Sequence, residues 1–242
     1  MALRLRISPS GAAFFWGALT LFPAAADLVG ASLACRRGER LVFRGLDCSL
    51  PAGGALILNG PNGSGKSSLL RILATLLTPA AGRLSWDGAA VSSDPASYRA
   101  LIHYVGHLDA VKPALNPREM LLSWTALRGV ARPAIDAALA AFALDPVADW
   151  PCRWLSAGQR RRLAIARLIA APAPVWLLDE PTAALDSDGE ARLTEAIKAH
   201  RNAGGRVALA THQPIAIDGA ATLALDEFAV APGDAPGNAL AG

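Results

Sequence analysis

Lysine is scarce in this 242-residue chain: Lys66, Lys112 and Lys198 are the only ones, and arginine supplies the rest of the positive charge. The net charge of +3, with a pI of about 9.0, is too mild to argue for a nucleic-acid partner. Cys35, Cys48 and Cys152 are odd in number and lack CxxC spacing, so neither a disulfide framework nor a zinc site is indicated. Charged residues make up only 18% against 52% hydrophobic, which excludes a disordered polyelectrolyte. Much of the apolar share is alanine, which packs little area, so a mean hydropathy of +0.31 says little for a membrane protein. At 25.0 kDa the chain can form one large domain or two small ones with a core of their own. A reduced, cytoplasmic, soluble α/β domain fits these bounds.

Charge is also missing from residues 7–26, where 11–26 is mostly apolar. Arg4 and Arg6 precede the run and Ala24-Ala25-Ala26 follows Pro23, the layout of a secretory signal peptide. As a membrane-spanning helix it is marginal, because Pro23 interrupts it and Asp27 ends it near the minimum spanning length. An export signal, a membrane-associating extension and a start upstream of the native one all fit. The third is favoured: Met1 and Met120 are the only methionines, so a non-AUG start at Leu28 or Val29 is expected. Residues 1–27 are then an extension, 28–230 the folded domain, and the Gly-, Pro- and Ala-rich 231–242 a flexible tail.

From Leu28 onward the pattern is regular. Strands are expected at 41–43, 46–50, 55–58, 83–86, 102–105, 175–178, 207–210 and 222–225. Helices are expected at 67–77, 157–171 and 187–200, with Leu69, Leu70, Ile72, Leu73 and Leu76 at helical spacing in the first. Between 108 and 154 the strands stop, and proline-bounded helices at 118–127 and 133–142 suggest an inserted helical subdomain over about 107–160. Alternating β and α elements argue for a mainly parallel sheet covered on both faces.

The strongest motif is Gly60-Pro61-Asn62-Gly63-Ser64-Gly65-Lys66-Ser67, a complete GxxxxGK[ST] P-loop between a buried strand and an amphipathic helix. Glycines let backbone N–H groups wrap a phosphate at the positive end of the helix dipole. Lys66 is expected to bridge β- and γ-phosphates of ATP, Ser67 to ligate Mg²⁺, and Ser68 to add a further contact. A second signal is Val175-Trp176-Leu177-Leu178-Asp179-Glu180, a buried strand delivering two acids to a sheet edge. Asp179 is expected to hold Mg²⁺ through water, and Glu180 to deprotonate the attacking water. Alone, this run is equally a strand meeting a solvated turn; beside a P-loop the catalytic reading prevails. The third signal is Leu155-Ser156-Ala157-Gly158-Gln159 before a helix whose first turn carries Arg160, Arg161 and Arg162. Cations there oppose the helix dipole. Either an anionic ligand offsets the penalty or the three arginines form a solvated surface.

That pentapeptide resembles the LSGGQ signature of ATP-binding cassette (ABC) proteins. Glu180-Pro181-Thr182-Ala183-Ala184-Leu185-Asp186 is similar to their Walker B acids running into the D-loop, and Ala210-Thr211-His212 to their switch histidine. The resemblance covers about 29–226. It implies a P-loop NTPase fold with a RecA-like parallel core, an antiparallel β subdomain and an inserted helical subdomain. It also implies a head-to-tail homodimer with two ATP molecules at the interface, Ser156, Gly158, Gln159 and Asp186 reaching the nucleotide of the other copy. Glu180, His212 and Lys66 are the catalytic candidates.

Three positions depart from the family. Ala157 replaces a signature glycine. His107 stands where the family has the Q-loop glutamine, and imidazole does not ligate Mg²⁺ as a carboxamide oxygen does unless neutral and well aimed. The usual adenine-stacking aromatic is missing, and Arg37 is expected to stack on the base instead. Phe43 is better placed for the core.

The P-loop and signature are too close for coiled-coil arms, and one cassette is present, so a peripheral ATPase powering separate integral membrane subunits is expected. Within the family the chain most resembles ATP-binding subunits of haem exporters of cytochrome c maturation. Gly106-His107, the run from Leu155 to Arg162, Gly204-Gly205 and Ala210-Thr211-His212-Gln213-Pro214 carry that likeness. It implies work at the cytoplasmic face of the bacterial inner membrane, coupled to haem export or to release of a haem chaperone. No CxxCH or axial-ligand pair is present, so direct haem contact is not expected. A lipoprotein-release or multidrug exporter is the alternative, and a nucleic-acid-associated ATPase a more distant one.

Overall fold

A computed structural model describes Phe22 and residues 26–131, 133–212 and 215–230. The expected tail and all of 1–27 except Phe22, Ala26 and Asp27 lie outside these residues, as do Gln213 and Pro214. The chain opens with β1 (Leu28–Arg37), β2 (Arg40–Leu50) and β3 (Ala55–Asn59), then α1 (Lys66–Leu73), β4 (Ala81–Trp86) and β5 (Ala89–Ala90). Next come α2 (Pro95–Ala100), β6 (Ile102–Val105), α3 (Pro117–Leu127), α4 (Ile135–Ala141) and α5 (Ala157–Ala170). It closes with β7 (Val175–Asp179), α6 (Ser187–Asn202), β8 (Arg206–Ala210) and β9 (Ala221–Ala224).

Two sheets form, as the fold class expected. One is antiparallel in the order β2-β1-β4-β5; the other is parallel in the order β6-β7-β8-β3-β9. Alternation along the central strands divides the core. Val175 and Leu177 join Leu56, Leu58, the apolar face of α1 and Phe43 of the antiparallel sheet. Trp176 and Leu178 point the other way, onto Leu163 and Leu168 of α5 and Leu193 and Ile197 of α6. Phe43 is fully buried, in the core position expected of it.

Four differences from the sequence reading have local causes. β1 was not anticipated because its pairing slips between Gly30 and Leu33 and again beyond, with Ser32 at φ 50°, so period-2 alternation is lost. The expected 41–43 and 46–50 strands are one strand bent at Gly45, whose φ is +66°. α1 ends at Leu73, four residues early, where Thr75 takes a left-handed φ of 56°. The unforeseen α2 starts on an Asp94 cap, whose carboxylate accepts from the Ser97 N–H at 3.1 Å, with Pro95 after it. α3 has a full capping box: Asn116 Oδ1 accepts from Glu119 N, and Glu119 Oε2 from Asn116 N.

At the opposite edge from the P-loop, His200 stacks on Trp176 with ring centroids 3.8 Å apart, and Phe22 meets its edge at 5.3 Å. Ala26 is buried and its carbonyl accepts from the fully buried Arg206. Among the described residues no helix is long and apolar enough to cross a membrane.

Burial pushes both His200 and His103 down to about 3. In the unfolded chain each takes up a proton below about pH 6.5, whereas folded each stays neutral. Their contribution is therefore intact above pH 6.5 and is lost progressively as pH falls from there toward 3. Urea unfolding of the full chain should show stability dropping between pH 6.5 and 4, approaching roughly 1 kcal/mol per pH unit for each histidine.

Candidate functional site

β8 lies between β7 and β3, so the loops leaving these three parallel strands meet at one sheet edge. The loop after β3 carries the P-loop. Gly65 begins α1 at φ +105°, and a β-carbon there would sit 2.8 Å from Phe43 Cδ1 and 2.9 Å from Val42 Cγ1. Only glycine fits between strand β2 and the helix start. No acid occupies the first turn of α1, leaving its positive end for an anion. Lys66 is 6% exposed and its Nζ donates to the carbonyls of Gly60 at 2.6 Å and Pro61 at 3.1 Å, spanning the concavity of the loop. Ser64 Oγ is buried there without a hydrogen-bond partner.

Asp179 ends β7 and is 2% exposed. Its Oδ1 accepts from Ser67 Oγ at 2.8 Å, and Tyr104 Oη reaches its Oδ2 at 3.4 Å. A hydroxyl beside a carboxylate is the hard-oxygen pair that suits Mg²⁺. Among the described residues no group of three or more His, Cys, Asp or Glu side chains could hold a metal without other ligands. This pair therefore fits a Mg²⁺ completed by substrate phosphates rather than a free-standing ion site.

Glu180 follows at φ +49°, its N–H donating to the Ala210 carbonyl at 2.8 Å. Its Oε1 lies 3.3 Å from His212 Nε2, and its Oε2 accepts from the His212 backbone N–H at 3.3 Å. Glu180 and His212 face Asn62, Gly63, Lys66 and Ser67 across a cleft of about 470 Å³. Ser68 lines it too. Arg37, Arg40 and Val42 form another wall, and among the described residues no Phe, Tyr or Trp side chain does. Arg40 escaped the sequence reading, although β1–β2 register pairs it directly with Arg37. Arg71, also in the cleft, stands one turn beyond Ser67, near enough to the Tyr104 phenol for that group to raise its pKa. Helical spacing carried that signal; nothing in the sequence flagged Tyr104.

The remaining candidates do not line this cleft. Ser156 and Gln159 form a capping box on α5: Ser156 Oγ accepts from Gln159 N at 3.1 Å and Gln159 Oε1 from Ser156 N at 2.9 Å. A β-carbon on Gly158 would stand 3.0 Å from the Ala184 carbonyl, so the signature helix rests on the turn after Glu180. Asp186 caps α6 through the Gly189 N–H and pairs with Arg162, which holds its carboxyl below the usual range. His107 is exposed and outside the cleft.

Arg161 does not belong to a solvated surface, and all three arginines have partners within the fold. Arg160 donates to the Leu155 carbonyl, Arg162 pairs with Asp186 and Asp188, and Arg161 is buried at 2% exposure among internal acceptors.

The ABC transporter family profile matches residues 43–183, which spans both acids and the P-loop. The chain belongs to the ABC transporter ATP-binding family. It is an ATP-binding, ATP-hydrolysing cassette. It is 57% identical to a Rhodospirillum rubrum protein named cytochrome c biogenesis ATP-binding export protein CcmA, over 89% of this chain and 93% of that one. The protein of that name from Paramagnetospirillum magneticum is 55% identical, over 83% and 94% of the two chains. Among solved structures, the cassette superposes on a putative ABC transporter ATP-binding protein from Pyrococcus furiosus with a TM-score of 0.74. That match, at 21% identity, covers 84% of this chain and all of the other, and speaks for the fold alone. An ATP-binding cassette in a dimeric post-hydrolysis state with ADP and Pi matches with a TM-score of 0.67 at 26% identity, over 77% and 88% of the chains.

Lys66→Ala removes the only side-chain ammonium that lines the cleft among the described residues. Calorimetric titration with ATP is expected to show affinity weakened by about a hundredfold or more, with the unfolding midpoint little changed.

Proposed function

We propose that this cassette is the ATP-hydrolysing subunit of an ABC transporter complex in c-type cytochrome biogenesis, coupling hydrolysis to haem export or to release of a haem chaperone. The observation that carries the chemistry is the Glu180 carboxylate, held beside His212 and across the cleft from Lys66 and Ser67. The observation that carries the pathway is the identity of 57% and 55% to relatives bearing that role in their names.

The P-loop N–H groups and Lys66 bind the β- and γ-phosphates. Ser67 and Asp179 would hold Mg²⁺, which would supply charge neutralisation on the phosphate oxygens. Glu180 takes the proton from the attacking water as the water oxygen bonds to the γ-phosphorus and the bond to the ADP oxygen breaks. His212 keeps that carboxylate turned toward the cleft. Arg37 packs on the base, and Arg40 stands beside it.

Ser156 and Gly158 lie outside their own cleft, which supports a head-to-tail homodimer in which the partner's Ser156 and the partner's Gly158 close each site. Exposed Leu108, Leu127 and Trp154 offer apolar surface to integral membrane subunits, in keeping with a peripheral position on the cytoplasmic face of the inner membrane.

Glu180→Gln, expressed in its native membranes, is expected to retain ATP, cross-link as a dimer and co-purify with membrane subunits of the cytochrome c maturation system. Hydrolysis at the wild-type rate would remove Glu180 as the base. Co-purification with subunits of another exporter would sink the cytochrome reading while leaving the ATPase intact.

A further inference from the structure

Arg161, in the second turn of α5, is one of the largest fully buried side chains of the protein. Its Nη2 donates to the carbonyls of Asp179 at 2.9 Å and Glu180 at 2.6 Å, and its Nε to that of Pro181 at 3.2 Å. Three consecutive carbonyls of the turn leaving β7 thus rest on one guanidinium. On its other side Nη1 donates to the Gly106 carbonyl at 2.9 Å and pairs with Asp109 Oδ1 at 3.1 Å. Asp109 is the only carboxylate paired with it among the described residues, and it is 26% exposed.

The turn it grips is the one that needs holding. Glu180 adopts φ +49°, a left-handed conformation disfavoured for a residue with a β-carbon. The loop on the other side leaves β6 and carries His107 and Leu108, the latter 83% exposed. A planar fork with five donors can serve both segments at once; an ammonium cannot.

We propose that Arg161 is a positioning residue for hydrolysis, tying the Asp179–Pro181 turn, and so the aim of Glu180, to the loop over 106–109. Displacement of that loop then changes the rate of bond cleavage without touching the nucleotide. The inference rests on the reading of Glu180 as the base.

The test uses the purified full-length chain with Arg161→Lys, which keeps the charge and loses the fork. Its kcat is expected to fall by about tenfold or more, since small misplacements of a reacting group carry large rate costs. Binding of a fluorescent ATP analogue should stay within about twofold of wild type, at unchanged stoichiometry, because no nucleotide contact is removed. A merely structural role would instead lower the number of binding sites in step with the rate. If Arg161→Lys does not fold, Asp109→Asn decides, with kcat expected to fall about threefold at unchanged binding. A wild-type kcat in the deciding variant, or a rate lost only in proportion to binding sites, overturns the proposal. Glu180→Gln runs alongside: hydrolysis at the wild-type rate there overturns the base assignment itself. An inactive Glu180→Gln beside a fully active Arg161→Lys overturns only the role of Arg161.

Discussion

The bond from Ser67 Oγ to Asp179 Oδ1 joins the start of α1 to the end of β7, 112 residues apart in the chain. It exists because β3, β8 and β7 run parallel and side by side, so that helix starts and acids are delivered to one edge. A slip of one residue in β7 would turn Asp179 and every alternate side chain onto the opposite face. Burial of Val175 and Leu177 on one side and Trp176 and Leu178 on the other prevents that slip, since both faces of the strand are covered. Site geometry is thus a by-product of core packing: the hydrophobic residues that hold the register also set where the carboxylates emerge.

Arginine is the second constraint, and it explains the composition. Beyond Arg161, Arg128 donates to the carbonyls of Ala100 and Ile102, Arg167 to that of Tyr104, Arg201 to those of Gly53 and Asp218, and Arg206 to those of Ala26 and Gly204. Each lies at a strand end or a loop where backbone acceptors would otherwise lack partners. Lysine carries the charge as a compact ammonium, without the planar fork that reaches acceptors on separate segments. Arg167 pays visibly for this, pushed down to about 10 by burial. Hydrogen bonds to a charged group contribute about 1.5–3 kcal/mol each, so these contacts are structural commitments rather than surface decoration.

Much of this was legible in the chain because its chemistry is local. A P-loop is contiguous, and its strand and helix neighbours announce themselves by periodicity; Ile102–Val105 was bounded correctly to the residue. What escaped depended on partners far away in sequence. The bulged β1 looks irregular until β2 and β4 are laid against it. Arg40 enters the cleft only through hairpin register, and Tyr104 reaches Asp179 only because β6 pairs with β7. The burial of Arg161 escaped for the same reason: its acceptors include the carbonyls of Gly106 and 179–181, and a carbonyl leaves no mark in a sequence.

The helix starts give a physical reason for a nucleotide-dependent dimer. α1 and α5 both begin without an acidic residue in the first turn, so each presents a positive dipole end. The end of α1 faces its own cleft, whereas the signature residues at the start of α5 are absent from that cleft's lining. In the proposed head-to-tail pair, the two positive ends approach one another across the same nucleotide. Without an intervening anion they repel; with a triphosphate between them each gains a ligand. The capping box at Ser156 and the Gly158–Ala184 contact keep the start of α5 formed while it waits. Cleavage of the γ-phosphate then divides the charge that joined the two ends, and the dimer loses the interaction that closed it.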